Sequence, residues 1–427
     1  MPERKKSNGP HNHTLALVVL MGVFFICGFS TVLNDVLIPY LQKKLQLTYA
    51  SVILIQSSFY LAYFLFSPLT GFLFRNSGYL KGIRWGLSFG AFGTLLISSA
   101  STSLSFDLIL VGVFILGGGI AMVQVSANPY ALQLGNESSA TSRLSLTQSF
   151  TSVGTILSPY VGSTYILSTL HTNPGGLESG IVESPLKKPY IALGLVWLAL
   201  LGFTFLIRRT KDKDESSQET LIQKKGPHPL RDFMVLIGML GIAICVGVEV
   251  AVGSFLISFL TDANVANIPM ETAGKYTMLF WLGFLMGRVI GSWIMRYVPP
   301  GKLLFFHAFG GLACTICATF SSGFIATASV LALGLCTSIM FPVIFGLVLS
   351  SCKGRKSEVS GFLCMANIGG AVIPFCQGAL ADVIGIQHSF IIPVTCFIFL
   401  TFYAQYMSKK LNESAKLGIY AGGFGNV

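Results

Sequence analysis

Twelve apolar stretches of 20 to 29 residues divide the sequence, and charged residues are confined almost entirely to short segments between them. A helix of about 20 apolar residues is long enough to cross the hydrocarbon core of a bilayer. We therefore predict twelve membrane-spanning helices, spans 1 to 12. In chain order they cover residues 15–41, 48–74, 81–101, 107–134, 145–170, 189–208, 233–260, 272–297, 302–321, 323–351, 358–385 and 388–408.

The composition supports a lipid bilayer as the main partner of the chain. Only 11% of the 427 residues are charged, against about 25% in soluble domains, so the polar surface of a soluble fold is lacking. The 34 Phe and 14 Tyr exclude a disordered chain. The net charge of +11 does not indicate a nucleic-acid partner, because Lys and Arg lie in short clusters between the spans.

The positions of the basic residues predict how the chain lies in the membrane. If both termini are cytoplasmic, 22 of the 28 Lys and Arg residues fall in cytoplasmic segments and five fall outside. Short cytoplasmic loops of membrane proteins are enriched in Lys and Arg. We therefore expect an inner (plasma) membrane protein with a cytoplasmic N-terminal tail, residues 1–14, and a cytoplasmic C-terminal tail, residues 409–427.

One long charged segment, residues 209–232, divides the chain into two groups of six spans, residues 15–208 and 233–408. We interpret it as a cytoplasmic linker between two six-helix bundles. The two groups also share local patterns: FYLAY at 59–63 corresponds to FWLGF at 280–284, 221 residues later. The predicted fold is all-α, with two pseudo-symmetric bundles, as in major facilitator transporters, whose halves are parallel repeats.

Three charged residues lie more than five residues from either end of a predicted span, where an ionisable group is costly unless it faces a cavity or a partner. Asp35 lies about two turns from the end of span 1, and we predict that it is a protonatable acid facing a cavity, although a solvated acid near the surface is the alternative. Glu249 lies near the middle of span 7, and Arg288, in span 8, is its candidate partner in a structural ion pair. A substrate site at Glu249 is compatible with such a pair.

Amide and aromatic side chains form the second group of candidates. Gln124 and Asn128 share one face of span 4, and Gln148 and Thr151 share one face of span 5. Buried amides either join helices or bind a polar ligand, and two such faces fit a polyhydroxylated ligand. Further candidates for contacting this ligand are Asn34, Gln56, Tyr60, Trp281 and Asn367.

Other motifs give no support to catalysis or to a bound cofactor. Gly86–Gly90 matches GxSxG, but it lies in an apolar helix without a preceding strand. Cys314 and Cys317 form a CxxC without a second ligand pair. We find no nucleotide-binding motif, so we expect neither an enzyme, nor a metal site, nor a nucleotide partner, and any active transport must be coupled to an ion.

Four ordered motifs resemble the fucose and glucose/galactose permeases of the major facilitator superfamily, and a fifth resembles the glucose/galactose branch. The four are LNDVLIP at 33–39, LIQSSFY at 54–60, QVSANPY at 124–130 and RLSLTQSFTSVG at 143–154; the fifth is VEVAVGSFL at 248–256. The resemblance implies that Asp35 is the proton-coupling acid. It also implies the glucose/galactose branch, because Gln124 is glutamine there and glutamate in fucose permeases. The chain departs from the residues usual in the motifs of this family at three positions, Ser145, Thr151 and Arg75.

The prediction is therefore a monomeric secondary transporter that takes up a monosaccharide, such as glucose or galactose, by proton symport. A sodium-coupled sugar symporter is the first alternative, since Asp35 and Asn34 also suit a cation. A fucose or N-acetylhexosamine permease and an exporter of another small solute also remain open. A sensor without transport activity or an intramembrane enzyme fits the sequence least well.

Overall fold

A computed structural model describes residues 10–74, 78–134, 140–169, 184–207, 229–295, 297–351 and 356–416. These segments are almost entirely helical, and twelve helices or pairs of consecutive helices, α1–α12, correspond to the twelve predicted spans. The first six are α1 (Pro10–Leu45), α2 (Tyr49–Val52 and Leu54–Phe74), α3 (Tyr79–Ser103), α4 (Phe106–Gln133), α5 (Ala140–Gly162, continued by a π-turn at Ser163–Leu167) and α6 (Lys187–Leu206).

The second six helices follow the short 3₁₀ turn Pro229–Arg231. They are α7 (Phe233–Thr261), α8 (Met270–Ile294), α9 (Pro300–Phe320), α10 (Gly323–Thr337 and Met340–Ser351), α11 (Lys356–Met365 and Gly369–Ile384) and α12 (Ile391–Lys416). Most of the predicted linker, residues 209–228, lies outside the described residues.

Ten of the described helices are long and apolar enough to cross a membrane. The other two, α3 and α5, have 25 and 23 residues, which is also enough to span a bilayer. Their lower hydropathy reflects Gly, Ser, Thr and Gln residues that pack against neighbouring helices or face polar groups. The bounds of α7 and α10 agree with the predicted spans to within a residue, whereas α1 begins five residues before its predicted span and α12 ends eight residues after its own.

The two halves have the same internal packing pattern. In the first half α1 packs on α5, α2 on α4, and α3 on both α4 and α6; in the second half α7 packs on α11, α8 on α10, and α9 on both α10 and α12. Each contact in one half thus has a counterpart six helices later. The twelve-helix, two-bundle fold predicted from the sequence is confirmed.

Glycines allow the equivalent pairs α1–α5 and α7–α11 to approach closely. A Cβ atom at Gly28 would overlap the backbone carbonyl of Thr151, and one at Gly154 would overlap that of Phe25. In the second half, a Cβ atom at Gly369 would overlap the carbonyl of Ala243. Small residues at helix contacts let backbones meet in this way in membrane proteins.

The two halves meet through three helix pairs, α5–α8, α2–α11 and α1–α7. Many of these contacts lie toward one end of the bundle, where α1 ends, α2 begins and α11 ends; we call it the Tyr49 end. There the Asp382 carboxylate accepts hydrogen bonds from the backbone N–H groups of Tyr49 (2.6 Å) and Ala50 (2.9 Å). Gly378 of α11 packs on the same turn, and Gly274 of α8 packs on Ser163 of α5. The halves are therefore closed against each other at the Tyr49 end.

Candidate functional site

The Asp35 side chain lies at the contact between the two halves and is only 4% exposed. Its Oδ1 atom accepts a hydrogen bond from Gln56 Nε2 (2.8 Å), on α2 of the same half. The same atom accepts a second hydrogen bond from Ser254 Oγ (3.1 Å), on α7 of the opposite half. This carboxylate therefore joins three helices and both halves.

The second carboxylate oxygen of Asp35 has a different environment. Within the described residues Oδ2 accepts no hydrogen bond, and it lies beside the backbone at Gly253, where a Cβ atom would be 3.6 Å from it. The same Cβ atom would be 3.7 Å from the Trp281 ring, so the acid and the indole both lie close to Gly253. One oxygen of Asp35 is thus held by two donors, and the other is free to accept a proton.

Asp35, Tyr60 and Glu249 are close enough to interact electrostatically with one another. They come from α1, α2 and α7, so this group also spans the two halves. The Tyr60 ring packs on Gly370 of α11 and against the rings of Phe59 and Tyr63. The structure thus brings together the acids of spans 1 and 7, a proximity that the sequence does not predict.

Arg288 interacts electrostatically with Glu249, but no ion pair joins the two in the part of the chain described here. Its guanidinium group stacks 4.3 Å from the centre of the Phe284 ring, and its Nε donates to the carbonyl of Ser338 (3.2 Å) on α10. The Glu249 carboxylate, only partly buried, accepts no hydrogen bond from the described residues. The predicted ion pair is therefore not formed in this conformation, and Glu249 is available to a ligand.

The amides of α4 and α5 are partly paired with each other. Gln148 Nε2 donates to Asn128 Oδ1 (3.2 Å), which joins the two faces predicted from the sequence, and the Gln148 side chain is exposed. Gln124, one turn before Asn128, is partly exposed. Thr151, one turn after Gln148, is partly exposed, and its methyl group packs on Gly28 of α1.

Several buried polar atoms of the predicted site residues have no hydrogen-bond partner among the described residues. Both amide atoms of Asn34 are buried and unpaired, as are Gln56 Oε1, Trp281 Nε1 and Asn367 Oδ1. Asn367 lies in the 3₁₀ turn Ala366–Ile368, which interrupts α11. Buried polar atoms in proteins nearly always bind a partner, a water molecule or a ligand. Four of the predicted site residues therefore carry polar atoms that a polar molecule could satisfy.

Two polar contacts at this interface were not found by sequence reasoning. Ser254 is one of three hydroxyl residues near the end of a mostly apolar helix, and Asp382 lies at the end of a span, where charge is unremarkable. Each bonds a partner more than 200 residues away. Sequence spacing carries no signal for such pairs.

Comparison with known proteins decides the family. The profile of the Major Facilitator Superfamily matches residues 20–366. The chain belongs to this superfamily. Its members are transporters, so the protein is a membrane transporter and not an enzyme.

Two relatives and one solved structure illustrate the similarity. The chain is 40% identical over 409 residues to a glucose/galactose transporter of Brucella abortus, covering 96% of this chain and 98% of the relative. It is 28% identical over 426 residues to the L-fucose-proton symporter of Escherichia coli, covering 95% and 96%. A crystal structure of the E. coli fucose:proton symporter has a TM-score of 0.66 at 26% identity, covering 93% of this chain and 99% of that chain.

Proposed function

We propose that this transporter takes up a monosaccharide, a hexose such as glucose or galactose, by proton symport through alternating access. The observation that carries the proposal is the position of Asp35, a buried acid at the contact between the halves with one oxygen free. An ionisable group within a membrane span is costly and is typically functional. The relatives named as a glucose/galactose transporter and a fucose-proton symporter support both the sugar and the coupling ion.

The sugar site in this proposal consists of the polar groups around Asp35 and on α4 and α5. Hydroxyl groups of a hexose both donate and accept, so they match unpaired donors and acceptors such as Trp281 Nε1 and Asn367 Oδ1. Gln124, Asn128, Gln148, Thr151, Tyr60 and Glu249 complete the set of candidate contacts. Ligand sites combine apolar or aromatic walls with a few placed polar groups, and Tyr60 and Trp281 supply the aromatic faces.

The proposed orientation in the membrane determines which side of the transporter is closed. With both termini in the cytoplasm of an inner membrane protein, the Tyr49 end faces outward. The conformation then corresponds to a carrier that is closed to the outside. Uptake begins in the state that is open to the outside, in which Asp35 receives a proton and the sugar binds. It ends in the conformation described here, which releases the proton and the sugar to the cytoplasm.

The experiment that tests the proposal is uptake of labelled hexoses into proteoliposomes containing the purified monomer. An inward proton gradient, an inward sodium gradient and no gradient are imposed separately. Accumulation above the external concentration with the proton gradient alone supports symport with protons. Accumulation with sodium alone assigns the coupling to Na⁺, and efflux without uptake identifies an exporter; either result refutes the proposal.

The preferred sugar is predicted from one amide position, Gln124, and one carboxylate position, Glu249. Gln124 is neutral, and Glu249 supplies a carboxylate in the other half that accepts strong hydrogen bonds from hydroxyl groups. A buried acceptor left unpaired discriminates against a ligand that lacks the matching hydroxyl. Glucose or galactose should therefore compete for uptake better than 6-deoxy sugars such as fucose. The measurement is inhibition of uptake by unlabelled fucose, glucose, galactose and N-acetylglucosamine. Preference for fucose would refute the assignment to the glucose/galactose branch.

A further inference from the structure

Ser254 is the only residue of the second half that donates a hydrogen bond to Asp35 among the described residues. The bond runs from α7 to α1, 3.1 Å from Oγ to Oδ1, at the level where the two halves meet. We propose that Ser254 is a positioning residue for proton coupling: its hydroxyl favours the ionised carboxylate of Asp35 only while the halves are closed at the Tyr49 end. This inference rests on the proposed function.

The physical basis is the strength of a hydrogen bond to a charged acceptor. A donor bound to a carboxylate stabilises the ionised form more than the protonated one. If such a donor is present in one conformation and absent in the other, the proton is released more readily where the donor is present. By the same linkage, loss of the proton stabilises that conformation.

The other groups that face Asp35 do not have this property. Gln56 also donates to Oδ1, but it belongs to the same half as Asp35 and moves with it. Tyr60, of the first half, and Glu249, of the second, interact with Asp35 electrostatically and form no hydrogen bond with it among the described residues. The Trp281 indole lies near Gly253, and its Nε1 atom bonds none of the described residues. Ser254 is thus the donor whose contact with Asp35 depends on how the halves are arranged.

The contact between α1 and α7 lies beside the closed end. The same conformation in which Ser254 reaches Asp35 also has the Tyr49 and Ala50 amides bonded to Asp382. Opening the Tyr49 end separates the halves there and withdraws Ser254 from Asp35. The acid then takes up a proton from the outer side and gives it up when the bond to Ser254 is restored, so the hydroxyl contributes to the direction of proton movement.

The test uses Ser254→Ala, which removes the hydroxyl, with Ser254→Thr and Ser254→Cys as graded replacements. Two activities are measured in proteoliposomes: proton-driven accumulation of sugar, and sugar exchange at equal pH on both sides between about pH 5 and 10. We expect Ser254→Ala to reduce the accumulation ratio by about fivefold or more while exchange continues. The alkaline limit of exchange should move upward by about one pH unit. Ser254→Thr should behave as the unsubstituted protein, and Ser254→Cys, a weaker donor, should be intermediate.

The control is Ser258→Ala, one turn further along α7. Ser258 is buried and its hydroxyl bonds none of the described residues, so its removal should change neither the accumulation ratio nor the pH profile. A merely structural role of Ser254 would lower both activities together without moving the pH profile, and this result would overturn the inference. If the unsubstituted protein is coupled to protons and Ser254→Ala leaves the pH profile of exchange unchanged, the inference is also overturned. Absence of proton coupling in the unsubstituted protein would instead refute the proposed function.

Discussion

Asp382 and Tyr49 join the two halves of the transporter through a carboxylate at the end of one helix and a backbone amide at the start of another. The Asp382 Oδ1 atom lies 2.6 Å from Tyr49 N, and Oδ2 lies 2.9 Å from Ala50 N. The first N–H groups of a helix have no partner within the helix, and a negative charge there is also favoured by the helix dipole. The bonds must break whenever the Tyr49 end opens.

Replacing Asp382 with Ala should shift the conformational equilibrium toward the state open at the Tyr49 end. A lost charge-assisted hydrogen bond costs about 1–3 kcal/mol, or roughly a five- to hundred-fold change in the equilibrium. Spin labels at Lys44 and Val383, which are exposed in opposite halves, should report a longer and broader distance distribution. Asp232→Ala is the control, because Asp232 accepts a bond from the Met234 N–H within the same half, at the other end of α7. An unchanged distribution in Asp382→Ala would show that this contact does not hold the end closed.

Asp35→Asn should abolish accumulation of sugar against its gradient while leaving exchange largely intact. Asparagine keeps the shape and the hydrogen-bonding capacity toward Gln56 and Ser254 but cannot carry a proton. Accumulation and exchange are measured separately in proteoliposomes. The control is Asp107→Asn, which removes one carboxylate outside the site, in the first turn of α4. Accumulation at the unsubstituted level in Asp35→Asn would remove this acid from the coupling mechanism.

Glu249→Gln and Gln148→Ala should each weaken sugar affinity by about five- to hundred-fold, because each removes a hydrogen-bonding group from the site. Binding is measured by isothermal titration calorimetry on the purified variants. Asn264→Ala, in an exposed turn, is the control for loss of an amide elsewhere. If both variants bind sugar as well as the unsubstituted protein, the polar groups of α4, α5 and α7 serve helix packing instead.

Gly369→Ala should destabilise the contact between α7 and α11. The added methyl group would overlap the Ala243 carbonyl, and overpacking of this kind costs about 1–3 kcal/mol. The midpoint of thermal unfolding in detergent should fall. Gly202→Ala is the matched control, since no atom lies within 4 Å of its added Cβ. Equal unfolding midpoints for the two variants would show that the contact between α7 and α11 tolerates the added methyl group.

The fold was predictable from the sequence because it depends on long-range composition and not on particular contacts. Helices α7 and α10 begin or end within a residue of the predicted spans, since apolar runs and their flanking charges define them. Asp35 and Glu249 were recognisable as candidates because a charge within a span requires a reason. Which atoms they meet was not predictable: Arg288 stacks on Phe284, and Asp35 bonds Ser254, a residue that no local pattern distinguishes.

Pro39, within α1, lies four residues after Asp35. Proline has no backbone N–H, so the hydrogen bond that would run from position 39 to the carbonyl of Asp35 is missing. The helix is consequently softer against bending at this point than elsewhere along its length. The last two turns of α1 can therefore bend relative to the rest of the helix, at the turn that carries the proposed coupling acid.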